Sequence, residues 1–323
     1  MILVYRCPLK RGTYGADVKL LQEALLSLKY DPNGIDGNFG PGTESAVKQF
    51  QKDNNIAVDG IVGPTTTRMI NATLRNMDIA NPTTPSIYRK IRQYSSNIHI
   101  LEANPKDYFV DLDLGIKGKH EKVSSIVKQK FLQNKNIVGG INAGFFIFGT
   151  NKEHLGLLID DGLYYSPPSS DFIDWIYYKK GFSTIVNLEK YDQAFLSNLQ
   201  KVAHWAIGTS YSLIQNGKIN LQNSERFDHA KYRHPRTLLG EKADGTFLLV
   251  VADGRSSASL GLNAQQSAEL MQTLGAVNAV NLDGGGSSTM VLVENGIPKL
   301  KNKPSNPGGA ERPVGSVLLA YKK

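Results

Sequence analysis

The sequence predicts a multidomain protein: a small three-helix bundle followed by a larger mixed α/β domain with a central twisted sheet. Three observations predict it. At 323 residues the chain is longer than one comfortable core, which favours two domains of unequal size. Residues 1–74 carry helical spacing and a duplicated turn. From about Ile87 the pattern changes to strands and turns.

Composition narrows the classes. The chain is 41% hydrophobic and 20% charged, as in ordinary globular proteins. No run approaches 18 uninterrupted apolar residues, so membrane insertion is not expected. Met1–Lys10 has a short apolar patch (Ile2, Leu3, Val4) before Arg6, without the basic start, longer apolar stretch and small-residue cleavage site of a secretory signal. Export by another route, or a signal outside this sequence, is the expectation. A lone cysteine, Cys7, excludes an intramolecular disulfide and a cysteine metal cluster. Of the net charge of +8, residues 1–74 supply +1 (8 basic, 7 acidic) and the remainder +7 (29 basic, 22 acidic). A basic larger domain favours an anionic partner, either nucleic acid or a phosphate-rich wall polymer.

The bundle is read first. Val18, Leu21, Leu25 and Leu28 repeat at helical spacing, and Ala46, Val47 and Phe50 do so on a second helix over about Glu44–Asn54. Asp36-Gly37-Asn38-Phe39-Gly40-Pro41-Gly42-Thr43 is echoed by Asp59-Gly60-Ile61-Val62-Gly63-Pro64-Thr65-Thr66. Each copy reads as a glycine-rich turn with a threonine able to cap a helix. A third, shorter helix is expected after Thr66, with Met69 and Ile70 inward. With Leu9, Gly12, Gly15, Asp17 and Gln22 ahead of the paired turns, and Gln51 after Phe50, the spacing resembles the peptidoglycan-binding domain family across residues 9–70. That resemblance implies non-catalytic docking onto bacterial cell wall, hence an extracellular, wall-associated protein. The domain boundaries expected are 1–74 for this unit, 75–86 for a Pro- and polar-rich linker, and 87–323 for the larger unit.

In the larger unit, Ile98–Ala103 and Tyr108–Asp113 read as strands joined by an Asn-Pro turn, and Ile137–Ile141 runs into Asn142-Ala143-Gly144-Phe145-Phe146. Strand–turn units follow at Leu157–Tyr164 and Tyr211–Ile219, and the aromatic stretch Asp171–Leu199 reads as an insertion covering the site. Thr246–Ala252 is almost continuously apolar, as in a strand buried on both faces, and ends in Asp253-Gly254-Arg255. Asn263 can cap a helix with Ala268, Leu270, Met271 and Leu274 inward and Gly275 as its stop. A second buried strand, Val277–Leu282, ends in Asp283-Gly284-Gly285-Gly286-Ser287-Ser288-Thr289. Strand, helix, strand predicts a parallel crossover with Asp253 and Asp283 at the carboxyl ends of neighbouring strands, where open sheets place ligands. Two carboxylates there suit general acid–base work. Three glycines let backbone approach a ligand closely, and their N–H groups can cradle phosphate. The plain structural alternative is a pair of turns whose aspartates bind their own loops.

His234-Pro235-Arg236-Thr237-x-x-Gly240, Asp244-Gly245, Asp253-Gly254-Arg255 and Asn281-Leu282-Asp283-Gly284-Gly285-Gly286-Ser287-Ser288 together resemble the phosphodiester glycosidase family. Asn142–Phe146, Leu155-Gly156 with Asp161-Gly162, and Arg312-Pro313-Val314 fit in order, so the similarity spans roughly residues 95–321. It implies hydrolysis of a sugar-1-phosphodiester, of N-acetylglucosamine type, with release of the sugar. A phosphate ester is a good leaving group, so clamping the phosphate matters more than a strong general acid. The candidate catalytic residues are Asp283, its partner Asp253, and Asn142, either as a holder of a sugar hydroxyl or acetamido group or as a buried staple of strand ends. The candidate substrate-binding residues are Arg236, Arg255 and Arg312 for phosphate, with His234, Thr237, Gly284, Gly285, Gly286, Ser287 and Ser288. No cofactor and no metal is expected, since three arginines cover the charge. None of His99, His120, His154, His204, His229 and His234 forms a zinc spacing, and Tyr177-Tyr178-Lys179-Lys180 has no nucleic-acid motif beside it. One departure stands out: Gln266 occupies a position early in its helix where the family pattern leads one to expect glutamate, with Glu269 a turn later. It keeps open the reading as a wall-polymer binding protein without catalysis; the docking module, which many lytic enzymes carry, keeps open a peptidoglycan-cleaving one. Expected partners are peptidoglycan and attached phosphate-bearing glycopolymers.

Overall fold

The computed structural model describes residues 7–80, 87–115, 119–147, 154–187 and 192–323. The chain divides into two compact units, Met1–Ser86 and Ile87–Lys323.

In the first unit the helices are α1 (Ala16–Ser27), α2 (Pro41–Asp53) and α3 (Pro64–Ala80). They close on Val18, Leu21, Leu25, Phe39, Val47, Phe50 and Ile70, all wholly buried. Each such side chain contributes about 1.5–3 kcal/mol. The duplicated turn has a physical counterpart in two buried glutamines. Gln22 donates from Nε2 to Asp36 Oδ1 (2.8 Å) and Thr43 Oγ1 (3.0 Å), while its Oε1 accepts the Gly37 N–H (2.8 Å). Gln51 repeats this on Asp59 (2.8 Å), Thr66 (3.2 Å) and Gly60 (2.9 Å). The threonines are therefore not caps. Gly40 takes the cap position of α2, Pro41 starts it, and Thr43 sits inside the first turn facing its glutamine. The third helix is the longest of the three, not the shortest, and carries Arg75–Ala80, which the sequence assigned to the linker. The rest of that expected linker, residues 81–86, and the apolar patch Ile2–Val4 with Arg6 lie outside the described residues.

The second unit is mostly β. Seven strands form one sheet, in spatial order Tyr88–Gln93, Ser96–Ala103, Phe247–Ala252, Arg236–Lys242, Ala276–Asn281, Tyr211–Gln215, Lys218–Ile219. Two five-stranded sheets accompany it, one centred on Ile137–Asn142 and the other on Ala203–Thr209. Leu249, Val251 and Val280 from the first sheet, Ile141 and Leu318 from the second, and Trp175, Trp205 and Ile207 from the third meet in one core. Each sheet carries a helix on its other face: Ala264–Thr273, Val123–Gln133 and Gln193–Val202 respectively.

The expected parallel crossover is formed, but not between neighbouring strands. Arg236–Lys242 lies between Phe247–Ala252 and Ala276–Asn281 and pairs antiparallel with both. The two aspartate-bearing strands run the same way but are not neighbours. Phe247–Ala252 is continuously apolar because Leu249 and Val251 face the core while Leu248 and Val250 face the helix; cover on both faces, not parallel pairing, produces that pattern. Ser96–Ala103 and Tyr108–Asp113 are strands joined by the Asn-Pro turn, as expected, and they enter different sheets. Within Asp171–Leu199, Ile173–Tyr178, Ser183–Val186 and the helix from Gln193 belong to the third sheet and its cover, not to a lid; residues 188–191 lie outside the described residues.

Candidate active site

The site forms where two loops leave the first sheet on the same edge. The Asp283–Thr289 loop follows Ala276–Asn281, and the Asp253–Leu262 loop follows Phe247–Ala252. Between them His234-Pro235 leads into the middle strand. Backbone bonds join the three: Gly285 N donates to Pro235 O (2.9 Å), and His234 and Leu262 exchange N–H···O bonds of 3.0 and 2.9 Å. A Cβ at Gly254 would lie 2.6 Å from Pro235 N, so only glycine allows this approach.

A cavity of about 240 Å³ opens there, lined by Phe145, His229, His234, Arg236, Arg255, Asp283, Gly284, Gly285, Gly286 and Arg312. Three guanidiniums meet one carboxylate. Arg236 is 1% exposed and donates from Nε to Leu262 O (2.8 Å) and from Nη2 to His229 O (2.6 Å) and Tyr232 O (3.0 Å). Neutral carbonyls orient it, and it makes no ion pair among the described residues. Arg255 holds a left-handed backbone, φ 59°, which a non-glycine residue adopts at a cost of about 1 kcal/mol. Its Nη2 lies 3.5 Å from His234 Nδ1. Arg312 Nη1 reaches Ser287 Oγ (3.5 Å).

Asp283 is half-buried, and the protein packed around it pushes its carboxyl up to about 6, against the Ser287 hydroxyl, Arg312 and the Gly284 N–H, which favour the anion. Burial, with Arg236 adding, holds His229 down at about 4. The same two causes, with Arg255, lower His234. Both imidazoles are thus neutral at pH 7 within a cationic wall.

The sequence candidates separate into those at the cavity and those behind it. Asp283, Arg236, Arg255, Arg312, His234 and Gly284–Gly286 line it. Asn142 does not reach it. Wholly buried, it donates from Nδ2 to Asp283 O (2.6 Å) and accepts at Oδ1 from Thr237 Oγ1 (2.8 Å) and Thr289 N (3.0 Å). It staples the loop in place, so a sugar-holding role is replaced by a positioning one. Thr237, buried, serves the same network through Ser288 Oγ (3.2 Å). Asp253 is not beside Asp283 but lines a separate cavity. Its Oδ1 accepts the Lys303 N–H (2.8 Å), and Oδ2 lies 3.4 Å from Asn97 Nδ2 and 3.5 Å from His99 Nε2. Burial raises its pKa, yet these partners outweigh that and hold it below the usual carboxylate range. Shared acid–base work by the two aspartates is therefore not supported by their placement.

The glycine loop's amides are also largely spent. Gly285, Ser287 and Ser288 donate to Pro235, Gly284 and Gly285 carbonyls, so side-chain guanidiniums rather than an amide nest face the cavity. Gln266 is the third residue of its helix and forms a reciprocal capping box with Asn263, at 2.8 and 3.2 Å. Glutamate and glutamine fill that role alike, so the departure at Gln266 concerns helix initiation. Two lining residues escaped the sequence reading, His229 and Phe145. Phe145 lay inside a quoted motif; its ring sits 5.4 Å from Phe172, a contact no spacing signals.

Residues 135–321, more than half of the chain, match the phosphodiester glycosidase family model. The chain belongs to that family. Residues 14–70 match the peptidoglycan binding domain. Among relatives of this chain, N-acetylglucosamine-1-phosphodiester alpha-N-acetylglucosaminidase of Mus musculus is 30% identical over 163 residues, 47% of this chain and 31% of that protein. An SPbeta prophage-derived uncharacterised protein, YomE of Bacillus subtilis, is 28% identical over 172 residues, 52% of this chain and 25% of that protein. N-acetylmuramoyl-L-alanine amidase CwlL of Bacillus licheniformis is 40% identical over 76 residues, 22% of this chain and 20% of that protein. The chain thus spans a third or less of these curated relatives. The zebrafish N-acetylglucosamine-1-phosphodiester alpha-N-acetylglucosaminidase catalytic domain, auto-inhibited by its pro-peptide, shares the fold at a TM-score of 0.54 and 23% identity, covering 73% of this chain and 82% of that one.

Proposed function

We propose that this protein docks on the bacterial cell wall through residues 14–70 and hydrolyses a sugar-1-phosphodiester of N-acetylglucosamine type, borne by a wall glycopolymer, in the Asp283 cavity. One observation carries the reading. Arg236 is a buried cation without a carboxylate partner among the described residues, at the wall of a cavity that two further arginines share. An uncompensated buried guanidinium is costly, and a bound phosphodiester anion relieves that cost. Planar donors also match phosphate oxygens better than an ammonium does.

The reaction balances simply. Water oxygen bonds to the sugar C1, the C1–O bond to phosphorus breaks, and the phosphomonoester departs with the electron pair held by the arginines. Asp283 takes the water proton, which its carboxyl near 6 permits at neutral pH. Phe145 offers the sugar an apolar face. The wall module places this site near polymer, raising its effective concentration.

Incubation of a simple N-acetylglucosamine-1-phosphodiester in ¹⁸O-labelled water tests the bond that breaks. The label is expected in the released sugar; label in the phosphate, or no release at all, contradicts glycosidic cleavage here.

A further inference from the structure

A second cavity, of about 440 Å³, adjoins the first, and Arg255 lines both. Its far wall is the segment 302–312, which is fastened at several points. Asn302 donates to Ser288 O (2.9 Å), Lys303 N to buried Asp253 (2.8 Å), and Asn306 Nδ2 to Gly286 O (2.8 Å). The same segment ends at Arg312 in the first cavity. One loop and one arginine thus partition a two-chambered site.

The second chamber holds an unused polar atom and an unused charge. Ser305 Oγ is buried without a hydrogen-bond partner among the described residues. Lys303 makes no ion pair among them, and Asp253, the one carboxylate of this wall, is committed to the Lys303 N–H. A site of this composition favours an anion with hydroxyl groups.

We propose that the second cavity is the leaving-group subsite, taking the alcohol beyond the phosphodiester, and that this alcohol is a polyol carrying a further phosphate, met by Lys303. The inference rests on the phosphodiester glycosidase reading of the first cavity. The scissile phosphate then lies at Arg255, between sugar and polyol.

Two soluble substrates with the same sugar-1-phosphate test it, one a methyl diester and the other a glycerol diester phosphorylated at its far hydroxyl. Steady-state kinetics are expected to show about a tenfold lower KM for the extended substrate, equivalent to one charge-assisted contact. Lys303→Gln is expected to reduce the ratio of kcat/KM between the two substrates at least about fivefold, through KM. Ser305→Ala is expected to reduce the same ratio by a smaller factor. Equal KM values with wild type would overturn the subsite while leaving the glycosidase standing. Failure to cleave either substrate would overturn both.

Discussion

Two glycines a short distance apart separate folding from function. A Cβ at Gly286 would run into Arg312 Nη2 and Asn306 Oδ1, both at the ends of side chains that swing aside cheaply. A Cβ at Gly254 would meet the Pro235 backbone, which cannot. Gly286→Ala is therefore expected to melt near wild type while losing sugar release at least about tenfold through displacement of Arg312. Gly254→Ala is expected to cost about 1–3 kcal/mol of stability. Thermal melts beside initial rates check the pair, and a Gly286→Ala protein of full activity would remove Arg312 from the site. Of the candidates named from sequence, the arginines, Asp283 and the glycines line one cavity. The motifs that carry Asp283, the glycines and Arg255 sit on loops leaving the same sheet edge, where Arg236 begins the strand between them. Asn142 proves to be the strand-end staple, and Thr237 joins it behind the cavity, because a buried polar side chain and a ligand-facing one look alike in a linear motif. His229 left no linear signal: its carbonyl is brought to Arg236 by a tertiary bend.

Among the elements, the strand Ile173–Tyr178 carries a conflict. Asp174 is wholly buried, and its oxygens make no well-formed hydrogen bond among the described residues. Burial pushes its carboxyl up to about 8, with only the nearby Leu157 N–H opposing. Because the folded pKa exceeds the unfolded one, the native state binds the extra proton between about pH 4 and 8. Its contribution to stability is full below that window and is lost as pH rises through 8. Asp174→Asn is expected to flatten this fall, so that the variant gains Tm on wild type between pH 5 and 8.5; parallel melting curves would deny the burial effect. The strands of this region were not legible: Asp171–Leu199 read as an aromatic insertion, because Ile173–Tyr178 is buried on both faces and shows no clean alternation. In the parallel crossover direction was read correctly and adjacency was not, because Arg236–Lys242, the hairpin partner of Phe247–Ala252, lies between that strand and Ala276–Asn281.

At the scale of the whole molecule, the proposed function divides the work between two units, docking in one and chemistry in the other. The bundle was legible because its turn is written twice, and Gln22 and Gln51 belong to the motif, but the clamp each makes on its turn has no linear signal. The central claim concerns the other unit: a single carboxylate facing three guanidiniums hydrolyses a sugar-1-phosphodiester. Its most direct test is sugar release from a simple N-acetylglucosamine-1-phosphodiester, wild type beside Asp283→Asn, from pH 4.5 to 8. The account predicts a wild-type rate that rises with pH through about 6, as Asp283 ionises, and a variant slower by at least about a hundredfold across the range. An Asp283→Asn protein with wild-type turnover, or a folded wild type without turnover, would contradict it.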